Sequence, residues 1–265
     1  MRRTIIIGTA IAVLIGASAA FAASGFNAYT AKFTFTSTKA GSAKSPVPVG
    51  FTQVYTAKGL NGNRAAPLTD LKTSIYGVVS NAKKFPTCSL LTIQNNKNDN
   101  VCNPKAEVAT GFVRSLLGPG DNGSPNAVDP KTGKPAVVKC NPGLDVWNAG
   151  GGKLVFFFTA KSALQCGGLE TGSTAPFYGH TSKSGKYLVL DVPQPNFVST
   201  KVAGVPNFYS SLLFENLVWK KGFISSVACS HGKRPYTQTF KAQNYVGAVG
   251  GATQSKTVTA SAKCS

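Results

Sequence analysis

Alternation with a period of two runs through most of this chain and limits what it can fold into. In YTAKFTFT, Tyr29, Ala31, Phe33 and Phe35 fall on one face. FTQVYTA at 51–57, LKTSIYGVV at 71–79, RPYTQTFKAQ and SKTVTASAKC repeat the pattern. Successive strand residues point to opposite faces, so this spacing predicts half-buried strands. LVFFFTA at 154–160 is continuously apolar, as a strand buried on both faces would be. PFYGHTSKSGKYLVLDVP at 176–193 predicts a hairpin closed by SKSG. Further strands are predicted near 107–116, at 136–140 and over SLLFENLVWKK at 211–221, where a short helix is the alternative. The 28 Gly and 15 Pro punctuate these runs, and no long amphipathic helix interrupts them. The expected fold class is therefore all-β: an antiparallel β-sandwich whose two inner faces bury each other.

The first residues follow a different logic. MRRTIIIGTAIAVLIGASAAFAAS has a short basic start at Arg2 and Arg3, an apolar core from Ile5 to Ile15, and the small-residue site Ala20-Phe21-Ala22. That is the pattern of a secretory signal peptide, with an apolar stretch short of the roughly 20 residues a membrane span needs. Residues 1–22 are expected to be removed after Ala22, with Ala23 the next site. Residues 23–265 are then expected to form a single domain, with a possible sub-boundary in the Gly/Pro/Asn/Asp-rich loop 118–135.

Six cysteines agree with export: Cys88, Cys102, Cys140, Cys166, Cys229 and Cys264. An even number in an exported chain predicts a disulfide framework. Six cysteines allow about 15 pairings, and sequence alone does not choose among them. Neighbour pairing is favoured: Cys88–Cys102 around the polar loop NNKNDN, Cys140–Cys166, and Cys229–Cys264 clamping the last two strands. Zinc sites bring Cys-x-x-Cys pairs or closely spaced His. Neither occurs, and the His are His180 and His231 alone.

The formal charge is +19, or +17 once Arg2 and Arg3 leave. Nearly all of it is Lys; Arg64, Arg114 and Arg234 are the remaining arginines. Base readout and bidentate phosphate recognition favour Arg in clusters. Here Lys is scattered singly, so no nucleic-acid partner is expected. A solvated Lys surface, or attraction to an anionic envelope polymer or lipid surface, fits better.

Candidate chemistry is sparse. His231 near Cys229 suggests a Cys–His nucleophile only if that thiol is free; a staple followed by a turn His is the simpler reading. His180 and Asp191 lie across the predicted hairpin, but no Gly-x-Ser-x-Gly elbow supplies a nucleophile. Ser80-Asn81-Ala82-Lys83 and Lys131-Thr132-Gly133 match short patterns of penicillin-recognising enzymes, yet that serine belongs on a helix and Ser80 follows a strand. Asp121 to Asp129 has calcium-friendly oxygens without regular ligand spacing. Trp147, in LDVWNAGGG beside a Gly run, is either an exposed loop residue contacting a ligand or a cap on one end of the fold. No catalytic, cofactor or metal residue is assigned.

FPTC…VCNPKAEVATG, then SSLLFENLVWKKG, then SSVACSHGKRPYTQTFKAQ…KC, resemble a group of exported actinobacterial proteins with no assigned activity. The likeness covers about residues 70–265. The sequence departs from the group's pattern at Asn103, at Ala109-Thr110-Gly111 and at Ser230-His231. The resemblance implies an exported β-rich fold and carries no site residues. The expected function is a noncatalytic binding or structural role at the cell envelope. The alternatives are a carrier of a lipid-like apolar ligand and a secreted hydrolase.

Overall fold

The computed structural model describes residues 25–61, 64–119, 137–159, 165, 175–194, 198–199, 208–246 and 249–265. Its strands are β1 Asn27–Phe35, β2 Val47–Gly59, β3 Leu68–Tyr76, β4 Val78–Ser80, β5 Glu107–Pro119, β6 Val138–Cys140, β7 Gly143–Gly150, β8 Lys153–Thr159, β9 Phe177–Ser184, β10 Tyr187–Pro193, β11 Val198–Ser199, β12 Phe208–Ser226, β13 Lys233–Val246 and β14 Val249–Lys263. One α-helix, α1 Leu90–Asn96, lies between β4 and β5.

The strands form one antiparallel sheet in the order β1-β2-β12-β5-β7-β8-β9-β10-β3-β13-β14, with β4 and β11 added to β12 and β6 to β5. The two facing layers expected of a sandwich are here opposite walls of one continuous sheet, which curls until it is nearly barrel-shaped. Irregularities in the longest strand assist the curl. β12 shifts register against β5 between Leu212 and Phe214, and against β2 between Trp219 and Ile224. Such bulges bend a strand and increase its twist. Gly111 marks the tightest backbone approach, since a Cβ there would strike the carbonyl of Asn216 on β12.

Alternation fills the interior. Phe51 stacks on Trp219 at 5.4 Å and Trp219 on Phe223 at 5.7 Å. From β1, Phe33 stacks on Tyr236 at 4.4 Å and Tyr29 on Phe240 at 4.3 Å, so side chains of the first strand reach β13 on the inner face. The predicted hairpin is present as β9–β10, turning at Gly185 with φ 56°. The segment at 211–221 is strand, inside the longer β12.

Two of the neighbour disulfides are present. Cys88–Cys102 closes the loop that carries α1, with Cα atoms 5.6 Å apart. Cys229–Cys264 joins the start of β13 to the end of β14, with Cα atoms 5.7 Å apart. Cys140 is disulfide-bonded, while Cys166 lies outside the described residues. No described helix is long and apolar enough to cross a membrane.

Candidate binding face

Trp147 does not stand in an exposed loop. It sits within β7, 6% exposed, in a small second core on the outer surface of the sheet with Val155, Phe157, Ile93 and Ala106. LVFFFTA is buried on both faces for this reason. Leu154, Phe156 and Phe158 face the barrel interior, while Val155 and Phe157 face the disulfide-closed loop. The Trp147 indole N–H donates to Asp99 Oδ2 at 3.1 Å. The loop is held by α1, whose first turn is capped by Ser89: its hydroxyl accepts from Thr92 N at 3.1 Å. Ser89→Ala is expected to cost about 1 kcal/mol in urea unfolding, as N-cap losses do. Trp147 is thus packed beneath the disulfide-closed loop rather than exposed beside the Gly run.

Beside this cap, among the described residues, the outer face of the sheet carries half-buried and exposed side chains. Register places Val54, Asn216 and Phe112 in one row across β2, β12 and β5. Thr56, Phe214 and Arg114 form the next row, and Thr52, Val218 and Thr110 the row on the other side. Phe112 is 36% exposed and Val218 48%. Phe112 and Phe214 have ring centroids 5.6 Å apart. The Arg114 guanidinium lies 5.1 Å from the Phe214 centroid and 5.7 Å from that of Phe112. Where the strip meets the cap the chemistry becomes acidic. Thr110 Oγ1 donates to Asp145 Oδ1 at 2.6 Å. Burial pushes the Asp145 carboxyl up to about 6 against that hydrogen bond, with the Asp99 and Glu107 charges adding to the rise. Glu107 is bridged by Lys220 at 2.5 Å. The six described carboxylates of this basic chain are gathered rather than spread. Asp99, Glu107 and Asp145 stand here, Asp70 and Asp191 interact across β3 and β10, and Glu215 is inside.

Among the described residues, two interior cavities are small. One cavity is lined by Gln53, Glu215, Phe156, Leu190 and Trp219, another by Thr73, Phe51, Leu188 and Trp219. Each has space for about one water molecule. Gln53 Nε2 donates to Glu215 Oε1 at 2.9 Å.

The other sequence candidates are separated. His180 and Asp191 do pair in register on β9 and β10, but among the described residues no hydrogen bond joins His180 to Asp191 or to a serine. Cys229 is in a disulfide, so His231, in a turn with φ 49°, has no thiol beside it to activate. Ser80 ends β4, and its hydroxyl accepts from Ala82 N at 3.2 Å. Lys131, Asp121 and Asp129 lie outside the described residues.

Sequence reasoning missed the Phe112–Phe214–Arg114 strip because its members come from strands far apart in the chain. The signal within each strand was present: Phe112 and Arg114 alternate against Val113 and Ser115, and Phe214 and Val218 against Glu215 and Leu217. A scan against protein-family models gives no match, and neither does a search of the curated proteins.

Proposed function

We propose that this is an exported, noncatalytic protein with a binding or structural role at the cell envelope, and that the strip of Phe112, Phe214, Val218 and Arg114 is the surface it binds through. In this reading residues 1–22 are a leader that is removed, and the curled sheet serves as a sandwich-like scaffold for its outer face. The observation that carries the proposal is the exposure of Phe112 and Val218 on central strands of the sheet, beside an arginine stacked on two rings. Contiguous exposed apolar groups rimmed by polar residues mark interaction surfaces, and Phe112, Phe214 and Val218 are read as such a group. The aromatic pair suits the apolar face of a sugar ring or lipid chain. Arg114, with scattered lysines, suits the anionic groups of an envelope polymer or lipid surface.

The test is a pull-down of the leaderless protein against native cell-envelope fractions at two salt concentrations. Binding is expected to survive the higher salt, because apolar contact is not screened as charge is. Phe112→Ser combined with Val218→Thr is expected to weaken it about tenfold, the equivalent of about 1.4 kcal/mol, while leaving the urea midpoint nearly unchanged. Binding that vanishes with modest salt, or that ignores the double substitution, overturns the proposal.

A further inference from the structure

The path of paired strands ends at β1 on one side and β14 on the other, and no ladder joins the two. They nevertheless run side by side and parallel, in one register at both ends. Gln254 meets Asn27 and Ser265 meets Thr38, each 227 residues apart. At the Thr38 end the seam is closed by backbone. Ser265 N donates to Thr38 O at 2.6 Å, and Ala40 N donates to Ser265 O at 2.7 Å. At the Asn27 end a side chain does this work. The Gln254 amide oxygen accepts from Asn27 N at 2.9 Å and from Phe26 N at 3.1 Å, and its nitrogen donates to Asn27 O at 2.9 Å. A primary amide thus gives Asn27 what the peptide group of a neighbouring strand gives. Further along, the Tyr236 hydroxyl accepts from Phe33 N at 3.1 Å.

Between these two points no ladder pairs the edge of β1 with β14 among the described residues. Strand N–H and C=O groups alternate in direction, so Tyr29 and Ala31 aim theirs into the seam, as Asn27 and Phe33 do. The same alternation, counted back from Ser265, turns the backbone groups of Thr257 and Thr259 toward it from β14. At the Asn27 end a cleft of about 300 Å³ opens beside the seam, lined by Asn27, Tyr29, Leu60, Lys256 and Thr257 among others. Lys256 is the one charged residue in that lining.

We infer that this seam is an acceptor site for an extended peptide segment bearing a carboxylate. The segment pairs its backbone with Tyr29 and Ala31, displaces the Gln254 amide from Asn27, and sets its carboxylate on Lys256. Strands in a sheet lie about 4.8 Å apart, so seating one between β1 and β14 needs a seam about 10 Å wide. β1 and β14 lie within 8 Å of each other along part of their length, so the segment has to widen the seam from the Gln254 end, with the backbone-closed Thr38 end as the hinge. Backbone pairing supplies the affinity in strand addition, and charge supplies the preference. The site is separate from the outer-face strip and stands whether or not that strip binds.

The test is amide hydrogen exchange on the oxidised protein. The probe is an acetylated, amidated octapeptide of alternating Val and Thr with one central Glu. Exchange at Tyr29 and Ala31 is expected to be fast in the free protein and to slow at least tenfold with saturating peptide. N-methylating the peptide amides that face β1 is expected to abolish the effect. Lys256→Glu, at an exposed position, is expected to reverse the preference between this peptide and its Lys counterpart by at least fivefold. Three results overturn the inference: slow exchange at both amides in the free protein, no slowing at about 1 mM peptide, or equal slowing by the N-methylated peptide. Slowing that grows with protein concentration in the absence of peptide also overturns it, since the occupant is then a second copy of the chain.

Discussion

Glu215→Gln is expected to stabilise this protein by about 3 kcal/mol at neutral pH, and by nothing at pH 4. Glu215 shares the inner face of β12 with Leu217 and Trp219 and is 6% exposed. Burial pushes its carboxyl up to about 8, outweighing the Gln53 hydrogen bond that favours the anion. The sign follows from proton counting. The unfolded chain releases this proton near the ordinary value of 4.5, while the folded protein holds it until about pH 8. Across that window the native state binds more protons, so stability falls as pH rises. Each pH unit costs about 1.4 kcal/mol, and the cost levels off above about pH 8. A glutamine keeps the hydrogen bond to Gln53 and has no proton to release. Urea unfolding of both proteins from pH 4 to 9 checks this: the curves should converge at the acid end and separate toward the alkaline end. Asp145 also has a raised value, but it has largely titrated by about pH 7. The slope near pH 8 therefore belongs to Glu215. Parallel curves would mean that Glu215 is ionised at neutral pH in the folded protein.

The local half of this fold was legible. Alternation located most strands within a few residues, and the favoured neighbour pairing of Cys88 with Cys102 and of Cys229 with Cys264 is the one observed. What escaped was non-local. β12 lies between β2 and β5, and β3 between β10 and β13. No periodicity encodes such neighbours, so two packed layers and one curled sheet look alike from the sequence. Trp147 was misplaced for a related reason. The Gly run beside it, with Gly150, Gly151 and Gly152 all at positive φ, does form a turn, but the strand reaches that turn with Trp147 still paired to Val155. The apolar residues inside the Cys88–Cys102 loop, Leu90 and Ile93, were the available signal. A loop of that composition needs a surface to cover, and Trp147 with Phe157 provides it. Glu215 was readable too, since its parity with Leu217 and Trp219 puts a carboxylate on an inward face.

Trp147→Ala is expected to cost about 3–5 kcal/mol, the range for emptying a buried large aromatic site. The ring lies between the sheet and the loop. On one side are Val155 and Phe157 of the sheet, and on the other are Ile93 of α1 and the Cys88–Cys102 staple. Beyond the ring the loop is held at its start by Cys88 N donating to Asn148 O at 2.8 Å, while α1 has seven residues and buries Ile93 alone. Losing the ring should release the loop before the barrel. Limited proteolysis should then cut between Cys88 and Cys102 at low urea, the fragments separating only after reduction. The staple itself contributes about 3 kcal/mol by limiting the unfolded chain. Removing both ring and staple should cost less than the two separate losses, since each supports the same element. Trp147→Phe separates packing from hydrogen bonding. It keeps most of the ring but leaves Asp99, a buried carboxylate, without the indole N–H, for a cost of about 1–3 kcal/mol. If Trp147 were instead a solvent-facing contact for a ligand, both substitutions would stay within about 0.5 kcal/mol of the wild type and the loop would resist the protease. The size of the Trp147→Ala effect, together with where the protease cuts, therefore decides between a cap that organises the outer face and a residue reserved for binding.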